Sequence, residues 1–161
     1  NYYLKYLYLS NAKVDLGKND LDINGQDNVT FVLNGVNLDT ISSGEFNRLR
    51  LALLTSISDY EINTNGILFL DEIDANLSGK ESAAIATVLK KLTKKYQVFA
   101  ISHQPQLTAC ATQHFYVDKK DNISSVIELN SKEKEKEIAR MISGEKISKE
   151  ALTFAKDLLS S

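Results

Sequence analysis

The chain has 161 residues, 43% of them hydrophobic and 25% charged, enough for one buried core and ordinary for a globular protein. With 19 basic against 21 acidic residues the formal net charge is −2, so the whole-chain charge gives no electrostatic footprint of a nucleic-acid-binding surface. The lone cysteine, Cys110, excludes an intramolecular disulfide and fits a reducing compartment, and no run approaches the ~20 apolar residues of a membrane span.

Residues 1–40 are dense in Asn, Asp, Gly and β-branched side chains. They predict short strands at 13–16 and 29–33, with turns at Asn24-Gly25 and Asn34-Gly35. The aromatic run from Tyr2 to Leu9 is ambiguous and fits the end of a helix arriving from upstream. From Ser42 the period changes. Phe46, Leu49, Leu53, Leu54 and Ile57 recur at three- and four-residue steps and predict an amphipathic helix. Gly66-Ile67-Leu68-Phe69-Leu70 shows no alternation and predicts a strand buried on both faces, as in a parallel sheet. A helix over 78–95 follows, with Ile85, Val88, Leu89 and Leu92 on one face, and Val98-Phe99-Ala100-Ile101 makes a second apolar strand. Strand, helix and strand together predict a right-handed parallel βαβ unit. A short helix at 104–111 holds Cys110 in an apolar stretch, where it reads as a small core residue. Strands at 114–117 and 123–129 are joined by the polar turn 118–122. Two helices, 132–142 and 148–159, close the chain with Gly144 as the stop signal between them. Charge alternation over 132–137 marks a solvated helix face. The fold class is α/β.

Three segments carry chemistry. Asp71 and Glu72 follow directly on the first apolar strand, and ligands of open α/β sheets bind beyond the carboxyl ends of strands. Two adjacent buried carboxylates are costly unless a cation or hydrogen bonds compensate, which makes a metal the economical partner. The competing reading is that both cap the following loop. Ser42-Ser43-Gly44-Glu45 opens the amphipathic helix as a capping box, and the same geometry aims free N–H groups and the positive helix end outward, as an anion site would. His103 follows the second apolar strand and so emerges at the same sheet edge as the acid pair, with Pro105, the only proline, at the start of the next helix. His114 has no such setting.

Taken together and in this order, the helix start, acid pair and histidine resemble the signature motif, Walker B motif and switch histidine of ABC-type ATPases. Ser78-Gly79 after Asp71-Glu72-Ile73-Asp74, the run Ser102-His103-Gln104-Pro105-Gln106, and Ala139-Arg140-Met141-Ile142-Ser143-Gly144 are similar to the RecN DNA-repair ATPases. The resemblance implies the C-terminal lobe of an ABC-type head, a mostly parallel sheet core with flanking helices and a few antiparallel edge strands. It implies one domain over 1–161, in which 1–40 is a strand-rich lead-in following a coiled coil and 41–161 is the lobe with the signature, Walker B, D-loop and switch histidine.

The same resemblance implies ATP and Mg²⁺ as cofactors. Asp71 would hold Mg²⁺, directly or through water, and Glu72 would orient or deprotonate the attacking water. His103 would contact the γ-phosphate, and Ser42, Ser43, Gly44 and Glu45 would face the nucleotide of an opposite head. Residues 75–78, ending on Ser78 and preceded by Asp74, would form the D-loop at the head interface. The implied partners are the protein's own N-terminal P-loop lobe, a second head and, through the intact protein, DNA; the implied setting is the bacterial cytoplasm, at the nucleoid, with no membrane. Two departures stand out. Ser43 replaces the first of the usual signature glycines, and no G-x-x-x-x-G-K-[ST] occurs anywhere in the chain. That absence and the non-Met first residue lead to the expectation of half of a split head, inactive by itself. The alternatives are an SMC-like or other ABC-family head, and a non-catalytic interaction lobe that kept the fold.

Overall fold

A computed structural model describes residues 2–23, 25–61, 65–71, 73–74 and 77–160, without the side chain of Asn37. The chain divides into two compact units, 1–99 and 100–161.

The first unit opens on a short helix, α1 (Tyr2–Tyr6), where the aromatic run had fitted a helix end. A long hairpin follows. β1 (Ala12–Asp22) pairs antiparallel with β2 (Gly25–Leu33), Ala12 opposite Leu33, with an irregularity between Lys18 and Asp22. Both strands extend well beyond the predicted segments because each is completed by the other's backbone groups. Gly25 takes φ +102° at the hairpin tip, and Asn24 lies outside the described residues. The predicted turn at Asn34-Gly35 is present: both residues have positive φ, 54° and 81°, as a tight hairpin turn demands, and it leads into β3 (Val36–Asn37). A 3₁₀ turn at Leu38–Thr40 delivers the chain to α2 (Ser43–Tyr60).

Helix α2 departs from the expected burial. The stripe that marks it as amphipathic is largely wet: Phe46, Leu53 and Ile57 are 48%, 36% and 51% exposed. The buried face holds Arg48, Leu49, Leu51, Ala52, Thr55 and Ser58 instead, with the Thr55 hydroxyl donating to the Leu51 carbonyl at 2.7 Å. That face packs on α1 and α3 (Gly79–Leu92). The far end of α2 is anchored to both. Tyr3 donates to Asp59 at 2.5 Å, and Lys91 donates to Asp59 at 2.7 Å and also to Tyr3, with its ammonium 4.7 Å from the Tyr3 ring centroid. Lys95 donates to the carbonyls of Ser58 and Glu61, satisfying groups that the helix end leaves unpaired.

β4 (Gly66–Leu70) and β5 (Tyr96–Ala100) are neighbours in one sheet with α3 between them in sequence, the expected βαβ arrangement. The expectation of a strand buried on both faces is corrected. Ile67 and Phe69 are 58% and 73% exposed, and only Leu70 is buried. The cause is the uncovered face: Ile67 and Phe69 share one side of β4, where Phe69 stacks on Phe99, ring centroids 5.0 Å apart, and both remain largely exposed. α3 buries Ala84, Ile85, Val88 and Leu92 as its periodicity predicts.

The second unit contains α4 (Pro105–Cys110), with Pro105 in the first turn, then β6 (Phe115–Lys120) and β7 (Ile123–Glu128). These strands pair antiparallel around Asp121-Asn122, both at positive φ, so the turn is two residues rather than the five of the polar segment. α5 (Ser131–Ser143) is capped by Asn130 and ends on Gly144 at φ +78°. α6 (Lys149–Ser160) packs on it through Ile138, Ala139, Ala151 and Ala155, all nearly or fully buried. The α/β class is thus realised by a βαβ sheet with antiparallel pairs before and after it in the sequence.

Candidate functional site

The signature-like segment sits at the start of α2. Ser42 is the N-cap in extended conformation, its oxygen accepting from the Glu45 N–H at 3.3 Å. Glu45 reaches back to accept from the Ser42 N–H at 3.0 Å and the Ser42 hydroxyl at 2.8 Å. These hydrogen bonds from Ser42, side chain first and backbone second, hold the Glu45 carboxyl below its ordinary value, with Arg48 adding a smaller attraction. Ser42 and Ser43 are exposed while Gly44 is buried. The side chain that Ser43 puts in place of a glycine therefore stands at the surface of the helix start.

The second helix start is built the same way. Ser78 caps α3, accepting from the Glu81 N–H at 3.4 Å while its own N–H and hydroxyl donate to Glu81 at 2.9 and 2.8 Å. The Ser78-x-x-Glu81 spacing was a legible signal for this second box. Leu77 is half-buried and Ser78 exposed, whereas Ala75 and Asn76 lie outside the described residues.

Asp71 is exposed at the end of β4 and lines a small depression with Asn47, Arg50, Leu51, Leu54, Leu70 and Ile73. Its neighbours Asn47 and Arg50 on α2 were not among the predicted residues. Their positions one and two turns into the helix are what bring them to the strand end. Glu72 lies outside the described residues. Asp74 is fully buried, a costly place for a carboxylate and one that ties the loop after β4 to the interior. A single exposed aspartate fits magnesium, which keeps several waters and takes one or two carboxylates together with phosphate oxygens. Among the described residues no group of three or more His, Cys, Asp or Glu forms a dedicated metal cage.

His103 belongs to the second unit. It is exposed in the segment between β5 and α4, where Ser102 accepts from the Gln104 N–H at 3.0 Å. The structure therefore brings Ser42, Ser43, Gly44, Glu45, Asp71, Asp74 and Ser78 into one unit and places His103 in the other. His114 is half-buried; burial foremost pushes its pKa down, Glu137 opposes this and Lys134 adds to it.

No protein-family model matches the chain. Curated relatives do. It is 39% identical to the DNA repair protein RecN of Helicobacter pylori over 155 residues, covering 96% of this chain and 30% of that protein. The RecN of Rickettsia typhi is 35% identical over 99% of this chain and 31% of its own length. That of Halalkalibacterium halodurans is 33% identical over 97% of this chain and 30% of its own. Among solved structures, an Smc head domain with a coiled coil and joint from Pyrococcus yayanosii superposes with a TM-score of 0.65 at 21% identity, covering 84% of this chain and 26% of that one. An Smc head bound to the C-terminal winged-helix domain of ScpA gives 0.62 at 21% identity, over 80% of this chain and 40% of that one. At such identity these structures speak for the fold alone: the fold of this chain is that of an SMC-type head. The segment spans about 30% of the length of the curated proteins it matches, and over that span it belongs to the RecN family.

Proposed function

We propose that this chain is the hydrolysis-side lobe of an ATPase head in a RecN-type protein acting in DNA double-strand break repair and recombination. The observation that carries the reading is the 33–39% identity to RecN proteins across nearly the whole chain. The capped start of α2 and the acid at the end of β4, in one unit, support it. In this reading residues 1–161 work as one lobe whose partners are the protein's own P-loop lobe and a second head. DNA is reached through the intact protein, in the bacterial cytoplasm at the nucleoid.

The chemistry is phosphoryl transfer to water, which is mostly positioning and charge stabilisation. Magnesium, when bound with ATP, would neutralise charge on the β- and γ-phosphates, with Asp71 holding it through water. Glu72 would orient and deprotonate the attacking water, and His103 would donate to the γ-phosphate. The exposed start of α2, with Ser42, Ser43, Gly44 and Glu45, would offer N–H groups and the positive helix end to the nucleotide of an opposing head. Residues 75–78 would cross that interface as the D-loop. The exposed faces of Ile67 and Phe69 support a further layer of protein over β4, which the P-loop lobe would supply.

The test is Glu72→Gln in the intact protein. Hydrolysis should slow by about a hundredfold or more, as expected for loss of a general base, while ATP-driven closure of two heads persists. Hydrolysis at the normal rate would remove Glu72 from its role. The 161-residue chain by itself should show no ATP turnover, and robust turnover there would sink the split-head reading.

A further inference from the structure

Arg48 is one of the few buried charged groups among the described residues, at 8% exposure on the second turn of α2. Its Nη1 meets the Glu81 carboxylate. Neither Nε nor Nη1 makes a directed hydrogen bond among the described residues, so the guanidinium is compensated there by charge, through the ion pair with Glu81. Glu81 is also the residue that closes the capping box of α3. Glu45, which closes the capping box of α2, lies one helical turn before Arg48, and the guanidinium and that carboxylate attract each other. One cation thus answers both cap carboxylates.

The consequence is geometric. Ser42 is held by Glu45 and Ser78 by Glu81, each through contacts of 2.8 to 3.0 Å from N–H and hydroxyl, and the Glu81 carboxylate also meets Arg48. Without Arg48 the Glu81 carboxylate, 22% exposed, would lose its ion partner on α2. An apolar side chain would fill the site without the desolvation that a guanidinium suffers there. Packing alone does not call for a charge at this position.

We propose that Arg48, through Glu81, is a positioning residue that couples the starts of α2 and α3, so that the signature segment and the D-loop end move as one body during head closure. The proposal rests on the function proposed above. It concerns no group that touches the nucleotide.

The experiment is a double-mutant cycle in the intact protein, with Arg48→Gln, Glu81→Gln and the pair. Glutamine at 81 preserves the capping box and removes only the charge, so this variant decides the matter even where Arg48→Gln fails to fold. Steady-state ATP turnover is measured with binding of a fluorescent ATP analogue and the thermal midpoint of each variant. Each single change should lower kcat about tenfold with KM and analogue affinity within about twofold, and the double variant should be no worse than the worse single one. Arg48→Lys should recover most of kcat. Normal kcat in folded Glu81→Gln, or losses that multiply in the double variant, would overturn the coupling, as would a lowered midpoint with kcat intact. Glu72→Gln is assayed beside them. If it hydrolyses ATP normally, the functional reading has failed; if it is inactive while the Arg48 and Glu81 variants are normal, only the coupling has.

Discussion

Phe69 offers a measurement of what lies over the sheet. Its ring is 73% exposed and stacks on Phe99, centroids 5.0 Å and planes 12° apart. Full burial of a phenylalanine is worth roughly 1.5–3 kcal/mol, so at this exposure about 1–2 kcal/mol remains to be gained from a covering layer. Phe69→Ser in the 161-residue chain should cost only the stacking contact, about 0.5–1.5 kcal/mol. In the longer protein, with a second lobe on the sheet, the same change should cost about 3–5 kcal/mol, the ordinary loss for emptying a buried aromatic site. Guanidinium unfolding of both chains, wild type and variant, gives the two differences. Equal small losses would mean that the sheet face stays wet in the longer protein, and the split-head geometry would be wrong.

Three further outcomes are expected. Ser42→Ala should lower stability by about 1 kcal/mol through loss of the cap, while Ser42→Asn, an equally good cap whose amide can still donate to Glu45, should preserve the unfolding midpoint and still lower turnover in the intact protein by crowding the phosphate. Normal turnover in Ser42→Asn would reduce Ser42 to a structural cap. Ile138→Ala, at a fully buried position between α5 and α6, should cost about 2–5 kcal/mol, read as a drop in melting temperature of the second unit. His114 titrates lower folded than the ordinary 6.5 because burial disfavours its charged form. The unfolded chain therefore takes up the proton first, and stability is complete above about pH 6.5 and declines as pH falls below it. His114→Asn should flatten that decline in unfolding midpoints between about pH 7 and 5, and an unchanged slope would acquit the histidine.

Local chemistry was the most legible part of the sequence. The Ser42/Glu45 box, Pro105 in the first turn of α4, Gly144 beyond α5 and the left-handed Asn34-Gly35 turn all depend on a few adjacent residues, and each is present. Burial was harder to read, because it depends on what lies opposite. The period of Phe46, Leu53 and Ile57 locates α2 correctly, yet the face turned inward carries Arg48, Thr55 and Ser58. An apolar run such as 66–70 predicts a strand covered on both faces, and here the face carrying Ile67 and Phe69 is exposed. Strand length was underestimated for a similar reason. Gly17, Asn19 and Asp20 are poor strand formers by themselves, and β2 carries them to Asp22. Arg48 and Glu81 were missed because a buried ion pair joins two helices that no spacing in the sequence brings together.

The anchorage of α2 by Tyr3, Asp59, Lys91 and Lys95 has a mechanical side. An 18-residue helix is a rod about 27 Å long, tied to α1 and α3 at its far end and to Glu81 of α3 near its start. A tilt of about 5° about the far end would carry its start through about 2 Å, enough to make or break a hydrogen bond there. With ties at both ends, such a tilt has to carry α3 along with α2 or break the Arg48–Glu81 pair.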